Sequence, residues 1–289
     1  MAVVADSGPL AARRKLGAEL RMLRDQAGLT AEEVGDHLGC HNSKVSRIET
    51  GKRACTARDL NQLMDLYEVS GDMRTKLTGL AQKGRQRIQP WWQTYGDAVS
   101  ANYAEFMSYE AEATNCWEYQ PVLIPAQLQT EDYARAVTEV GFAALSPDQV
   151  DILVEVRMRR QHRVQEDDMM QVNCLISEAA LHFRVGGDAV MRAQLEHLTE
   201  IAKSPEISLQ VIPFAAGEAG TCQGAFTLFS AGQDVEADAA FIESAEGSTF
   251  KDDPLTLRRL KRLYHSLSQA SLSADDTIEL ITKELTSYE

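Results

Sequence analysis

Proline is scarce in this chain, with 8 residues in 289, and tryptophan is scarcer, with 3. So little proline argues against an extended Pro-rich linker or disorder along the length. The five cysteines (Cys40, Cys55, Cys116, Cys174, Cys222) are too few and too scattered for a disulfide framework. Their odd number fits a reducing cytosol, so a cytoplasmic location is expected. They form no CxxC pair and no other ligand-spaced cluster, so neither a structural zinc site nor any other metal is expected. No apolar run approaches the ~18 residues needed to span a membrane. The start, MAVVADSGPLAARRKLG, lacks a basic segment followed by an apolar core, so it does not read as a secretory signal.

What remains is ordinary globular material, 44% apolar and 25% charged, in a length that suits about two domains. The net charge of −14 argues at first against a nucleic-acid partner, but it is unevenly placed. Residues 1–89 hold 15 Lys and Arg against 11 Asp and Glu, and residues 90–289 hold 14 against 32. A basic front of net +4 and an acidic back of −18 suggest a small anion-binding module joined to a larger domain.

Leucines at 16, 20 and 23 predict a helix over 12–27, stopped by Gly28. Thr30 and Glu33 form a capping-box pattern that opens a second, short helix ending at Gly39. A third runs from about Asn42 to Glu49, with Val45 and Ile48 inward. A fourth is capped by Thr56, and a fifth covers about 72–87. The texture changes at Gln89-Pro90-Trp91-Trp92, which places a boundary near 88 and gives domains 1–88 and 89–289. Beyond it, helices are expected over 98–115, Thr130–Val140, Ser146–Gln165, Asp188–Lys203, Pro254–Ala270 and from Ser273 to Leu285. Strands are expected at Gln171–Ile176, Ser208–Ile212, Phe226–Ser230 and Ala239–Glu243, with Pro121–Pro125 extended. The fold class is therefore a mainly α front domain of five helices and an α+β or α/β back domain, with one modest sheet covered by helices.

Two short helices separated by a Gly-containing turn make a helix-turn-helix. The pattern Leu29-Thr30-x-x-Glu33-Val34, Leu38-Gly39, Val45-Ser46-Arg47-Ile48-Glu49-x-Gly51-Lys52, then Leu60 and Leu63, resembles the lambda-repressor/Cro-like family, also called the xenobiotic-response-element (XRE) family. The resemblance covers residues 12–70. The helix from Asn42 presents a polar face that an ~12 Å major groove admits. Asn42, Ser43 and Arg47 sit where the resemblance implies base contacts, and Arg47 has the donor fork for guanine and Asn42 the amide for adenine. Thr30, Lys44, Ser46, Lys52 and Arg53 are candidate phosphate contacts. The same resemblance implies a structural ion pair between Arg24 and Glu49. Double-stranded DNA is the expected partner. A homodimer is also expected, because one such module spans few base pairs. The alternative is a polar face on a helical domain that binds protein.

In the back domain, no GxSxG, P-loop or HExxH occurs, so no catalytic residue is assigned, and no cofactor is expected. Gly217, Gly220 and Gly224 precede a strand-like run, which favours a turn over a phosphate cradle. The basic run Arg157 to Arg163 is either a solvated face paired with acids such as Glu155 and Glu166, or a site for an anion or acidic partner. The aromatics from Trp91 to Tyr119 either pack in a core or line an apolar pocket. Arg157, Arg160, Trp91 and Trp92 are thus the candidate effector or partner site.

Residues 91–287 also resemble the C-terminal domain of actinobacterial regulators related to the sporulation regulator WhiJ. The resemblance rests on Trp91-Trp92, Glu110-Ala111-Glu112-Ala113, Gln127-Leu128-Gln129-Thr130-Glu131-x-Tyr133-Ala134, Arg157-Met158-x-Arg160-Gln161, Glu178-Ala179-Ala180-Leu181, Gly186-Gly187, Gln194-Leu195, Val211-Ile212-Pro213-Phe214 and Gly224-x-Phe226. It departs from that pattern at Pro125-Ala126-Gln127 and at Glu218. The resemblance implies a transcriptional regulator whose operator binding is controlled by a small molecule or a small partner protein. The alternatives are an enzyme or toxin-like effector carrying an autoregulatory DNA-binding domain, and a module that only binds protein.

Overall fold

The computed structural model describes residues 9–86, 90–140, 145–162, 170–222, 224–230, 239–244 and 247–288. Two compact units emerge, Met1–Pro90 and Trp91–Glu289. The boundary expected near 88 and the helix end expected at Gln165, with Arg163 and Glu166, lie outside the described residues.

Among the described residues, the front unit is five helices: α1 (Pro9–Gln26), α2 (Ala31–Leu38), α3 (Asn42–Glu49), α4 (Ala57–Leu66) and α5 (Gly71–Gly84). Local chemistry sets their ends. The Thr30 hydroxyl accepts from the Glu33 amide while the Glu33 carboxylate accepts from the Thr30 amide. Gly39 then takes the left-handed conformation, φ 63°, that ends α2. Leu16, Leu20, Val34, Val45, Ile48, Leu60, Met64 and Leu77 converge in one core, each worth about 1.5–3 kcal/mol when fully buried.

Two contacts fix α3 against α1. Gly17 lets the backbones touch: a Cβ there would lie 2.3 Å from the Glu49 carbonyl oxygen and 2.6 Å from that of Ile48. Farther along α1, Arg24 forks onto Glu49, Nε to Oε1 at 2.7 Å and Nη2 to Oε2 at 3.1 Å. Its Nη1 donates to the Leu29 carbonyl at 2.9 Å, so the same guanidinium also holds the α1–α2 turn. The side chains are only 12% and 8% exposed, so removing one partner strands a mostly desolvated charge.

The back unit contains α6 (Ala101–Glu110), β1 (Asn115–Gln120), α7 (Glu131–Glu139), α8 (Pro147–Gln161), β2 (Gln171–Ser177), α9 (Ala179–His182), α10 (Asp188–Ile201), β3 (Ile207–Ile212), β4 (Phe226–Ser230), β5 (Ala239–Ser244), β6 (Gly247–Lys251), α11 (Pro254–Gln269) and α12 (Ala274–Leu285). The strands form one sheet in the order β3-β2-β1-β4-β5-β6. β1, β2 and β3 run parallel, while β4, β5 and β6 join β1 through successive antiparallel pairings. One face, with Trp117, Tyr119, Leu175, Phe226 and Leu228, packs on Leu257, Tyr264 and Leu267 of α11. Phe106 of α6 packs on Phe229 and Phe241 of the other face, with ring centroids at 5.1 and 4.9 Å.

Two strands differ from the sequence expectation. The helix expected to reach 115 stops at Glu110, and Asn115–Gln120 is a strand in the middle of the sheet, just ahead of the stretch 121–125 expected to be extended. β1 hides from pattern reading because helices cover both its faces, so Glu118 and Gln120 are buried where polar residues normally mark a solvent face. β6 is a short strand at the sheet edge whose Gly, Ser and Lys resemble a loop.

Two outcomes follow for the front unit. Gly17→Ala should lower its stability by at least about 1–3 kcal/mol, because backbone rather than a side chain must move. Arg24→Ala should cost about 3 kcal/mol, and the double variant with Glu49→Ala less than the single. Thermal unfolding of the full chain, with hydrogen exchange in α1 and α3, reads both; wild-type protection in either single variant contradicts this packing.

Candidate nucleic-acid interface

α3 is divided lengthwise. Val45 and Ile48 are buried, while Asn42, Ser43, Ser46 and Arg47 are exposed on the opposite side. Arg47 lies along its own helix, with Nε donating to the Ser43 carbonyl at 3.0 Å and Nη2 to the Ser43 hydroxyl at 3.3 Å. His41 caps the helix: its Nδ1 accepts from the Ser43 amide at 3.2 Å. The sequence does not announce this cap, because His is not among the favoured capping types. After α3, the Arg53 amide donates to the Arg47 carbonyl at 2.8 Å and folds Gly51–Arg53 back beside the helix end. Gly51 is required there: its φ is +70° and a Cβ would lie 2.6 Å from Arg14 Cγ. Lys52 and Arg53 are exposed on this turn.

Two phosphate candidates have other partners. Lys44 donates to Asp59 of α4 at 2.8 Å and is half-buried, so its charge holds α3 to α4 instead of facing a phosphate. Thr30 is occupied by its capping box, and Glu32 and Glu33 stand in the same first turn. Bonds from the Thr30 amide and hydroxyl hold the Glu33 carboxyl below its ordinary range, so this helix end already carries its own anion. The Ala31 and Glu32 amides are what this terminus offers a phosphate. Ser46 is exposed, and its carbonyl accepts from the Thr50 hydroxyl at 2.8 Å.

The candidate effector residues fall into a packed region of the back unit. Arg160 is 7% exposed and forks onto Glu110 of α6, both bonds at 2.6 Å, with Nη1 donating to the Tyr103 hydroxyl at 2.9 Å. It is an interior structural arginine, not an open anion receptor, which corrects that assignment. Trp92 is buried with Met107 and Val156, and Trp91 lies under Arg159, 4.5 Å from guanidinium carbon to ring centroid. Arg157 donates to Gln129 at 2.9 Å, while its Nε is buried without a hydrogen-bond partner.

Sequence reading missed the neighbours of this arginine pair. Glu118 and Gln120 of β1 share the face that packs on α6, and Glu243 reaches it from β5. The Gln120 amide donates to Glu118 at 2.9 Å. Burial pushes the Glu118 carboxyl up to about 7, with Glu243 and Glu110 adding to the rise and Arg160 opposing it. Cys116 and Cys174 lie beside it, their thiols pushed well up by burial. Neither Glu118 nor Glu243 stands in a motif; only the sheet register brings them together.

A protonation cost follows. In the unfolded chain Glu118 ionises near 4.5, while the folded chain holds its proton to about 7. Stability from this group is therefore complete below pH 4.5 and is lost as pH rises to 7, by roughly 3 kcal/mol. Urea unfolding of the full chain at pH 5 and pH 8 should show that loss, and Glu118→Gln should remove most of it. An equal pH dependence in the variant contradicts the assignment.

Comparison with known families agrees with this division. Residues 15–77 match the family model described as a helix-turn-helix domain, the architecture of DNA-binding regulators. No curated protein matches the chain. Among the described residues, no helix is long and apolar enough to cross a membrane. Residues 103–283, more than half of the length, match the model described as "Domain of unknown function (DUF5753)", and the chain belongs to that family, with a helix-turn-helix domain in front.

Proposed function

We propose that the protein is a sequence-specific, DNA-binding transcriptional regulator of the lambda-repressor/Cro-like type, related to the WhiJ-like regulators of actinobacteria. α3 enters the major groove of operator DNA, and two copies read two half-sites about one helical turn apart. The back unit modulates that binding in response to a small molecule or a small partner protein. The observation that carries the reading is the exposed row Asn42, Ser43, Ser46 and Arg47 on a helix locked from behind, with Lys52 and Arg53 on the adjoining turn.

One observation favours the enzymatic alternative: titratable groups converge around Glu118 in the back unit, as a catalytic site requires. Those groups chiefly bond one another, Glu110 with Arg160 and Gln120 with Glu118. We therefore read them as a structural network and the protein as a non-enzymatic regulator.

Fluorescence anisotropy with the chain's own upstream DNA and a random duplex tests the site. Arg47→Ala should cost about 1–3 kcal/mol on the specific sequence and relax preference at one base position. Lys52→Ala should weaken both duplexes alike and reduce the salt slope by about 1. An equal loss on both duplexes for Arg47→Ala removes Arg47 from the base-reading set.

A further inference from the structure

The parallel strands β2 and β3 end side by side, Ser177 opposite Ile212, and the chain leaves both at the same end of the sheet. β2 runs into Glu178 and α9, and β3 into Pro213 and the turn Phe214–Gly220. In open sheets, binding crevices lie outside the carboxyl ends of such strands. Here Ala179, His182, Phe183 and Phe214 line an open notch of about 300 Å³.

Two of its walls are exposed aromatic rings. Phe183 is 52% exposed and Phe214 61%. Of the large apolar side chains exposed among the described residues, these are the aromatic ones, and they line one notch. Single exposed apolar residues are ordinary, but adjoining ones mark an interaction surface. The rings are also held in place. The Phe214 amide donates to Glu178 at 2.6 Å, and the His182 ring stacks on Phe214, with centroids at 5.6 Å and planes 17° apart. His182 is itself held between Glu178 at 3.5 Å and Glu284 of α12 at 3.2 Å. Aromatic anchors fixed in this way lose little freedom on docking.

Size and charge select the occupant. Binding clefts run to roughly 300–1,000 Å³, and an open notch at the low end of that range cannot enclose a small effector molecule. It can seat an apolar side chain whose parent protein covers the rest. Glu178 and Glu284 flank His182, and Glu218 is exposed on the Phe214 turn. Against them stand Arg184, which donates to Asp188 at 2.8 Å, and the exposed Lys283 beside Glu284. The rim is mainly acidic, in a back domain of net −18. Two such rims repel each other, and so do an anionic membrane and DNA, while a cationic partner is attracted.

We propose that this notch docks a cationic segment of a partner protein, an apolar side chain of that segment seating on Phe183 and Phe214 between Lys or Arg neighbours. The inference rests on the regulatory reading and deepens it, because such a partner is then what the back unit answers to.

Random peptides of about twelve residues displayed on phage are selected on the full-length chain, and the enriched ones are synthesised and measured by fluorescence anisotropy. Enriched peptides should carry an aromatic residue or leucine flanked by Lys or Arg. The double variant Phe183→Ala, Phe214→Ala should weaken their binding roughly tenfold or more. Glu218→Lys, which touches no apolar wall, should weaken it roughly threefold and keeps the test open if the double variant folds poorly. Enrichment of acidic or uncharged peptides, no enrichment at all, or unchanged affinity in the double variant overturns the proposal. Self-association of the chain that the double variant abolishes, read by sedimentation velocity, assigns the notch to a second copy and also overturns it. Anisotropy on upstream DNA with and without the selected peptide separates the two readings. A bound peptide that leaves DNA affinity unchanged upholds the dock and removes its regulatory role. Specific DNA binding by a chain that selects no peptide removes the dock and keeps the regulator.

Discussion

Everything the front unit offers to DNA depends on how α3 is held, and α3 is held chiefly by α1. The backbones meet at Gly17, where no side chain fits, and the Arg24 fork on Glu49 closes the same seam. A short helix of eight residues has little stability of its own. Locked in this way, it presents Asn42, Ser43, Ser46 and Arg47 on a surface fixed before any DNA arrives. Lys44, bonded to Asp59, adds a second anchor on the α4 side, so one basic residue of α3 serves the fold while Arg47 stays at the exposed surface.

The back unit follows a different logic. Its sheet is apolar on the α11 face, but the other face carries polar groups into the interior through Glu118 and Gln120, with Glu243 at its exposed end, and Glu110 and Arg160 pair beside it from the helices. Such networks hold only when their members satisfy one another, and here satisfaction is incomplete at Arg157 Nε and Gln127 Oε1. A domain that needed only to fold gains little from that arrangement, since apolar residues of similar volume are often as stabilising.

Much of the fold was legible because helix ends are written locally. Thr30, Thr56, Thr130, Ser146 and Ser273 each accept from an amide three residues on, a distance that sequence displays directly. The exposed row of α3 was legible for the same reason, since it follows from helical spacing. What was not legible depends on residues far apart in the chain. Lys44 meets Asp59 fifteen residues away, and Arg160 meets Glu110 fifty away. β1 went unread because its polar residues find partners inside the fold and not in water. The Trp91-Trp92 and Arg157-Arg160 segments stand out in the sequence, but their chemistry is packing and ion pairing, and the titratable neighbours of the region come from β1 and β5.

The central claim is that the front unit reads a DNA sequence. The most direct measurement is binding of the full-length chain to its own upstream DNA at two salt concentrations, with random duplex as competitor. The account predicts binding that survives the competitor and falls steeply as salt rises, because Lys and Arg contacts release counterions. Binding indistinguishable from that to random duplex would contradict it and leave the helix-turn-helix as a surface for protein.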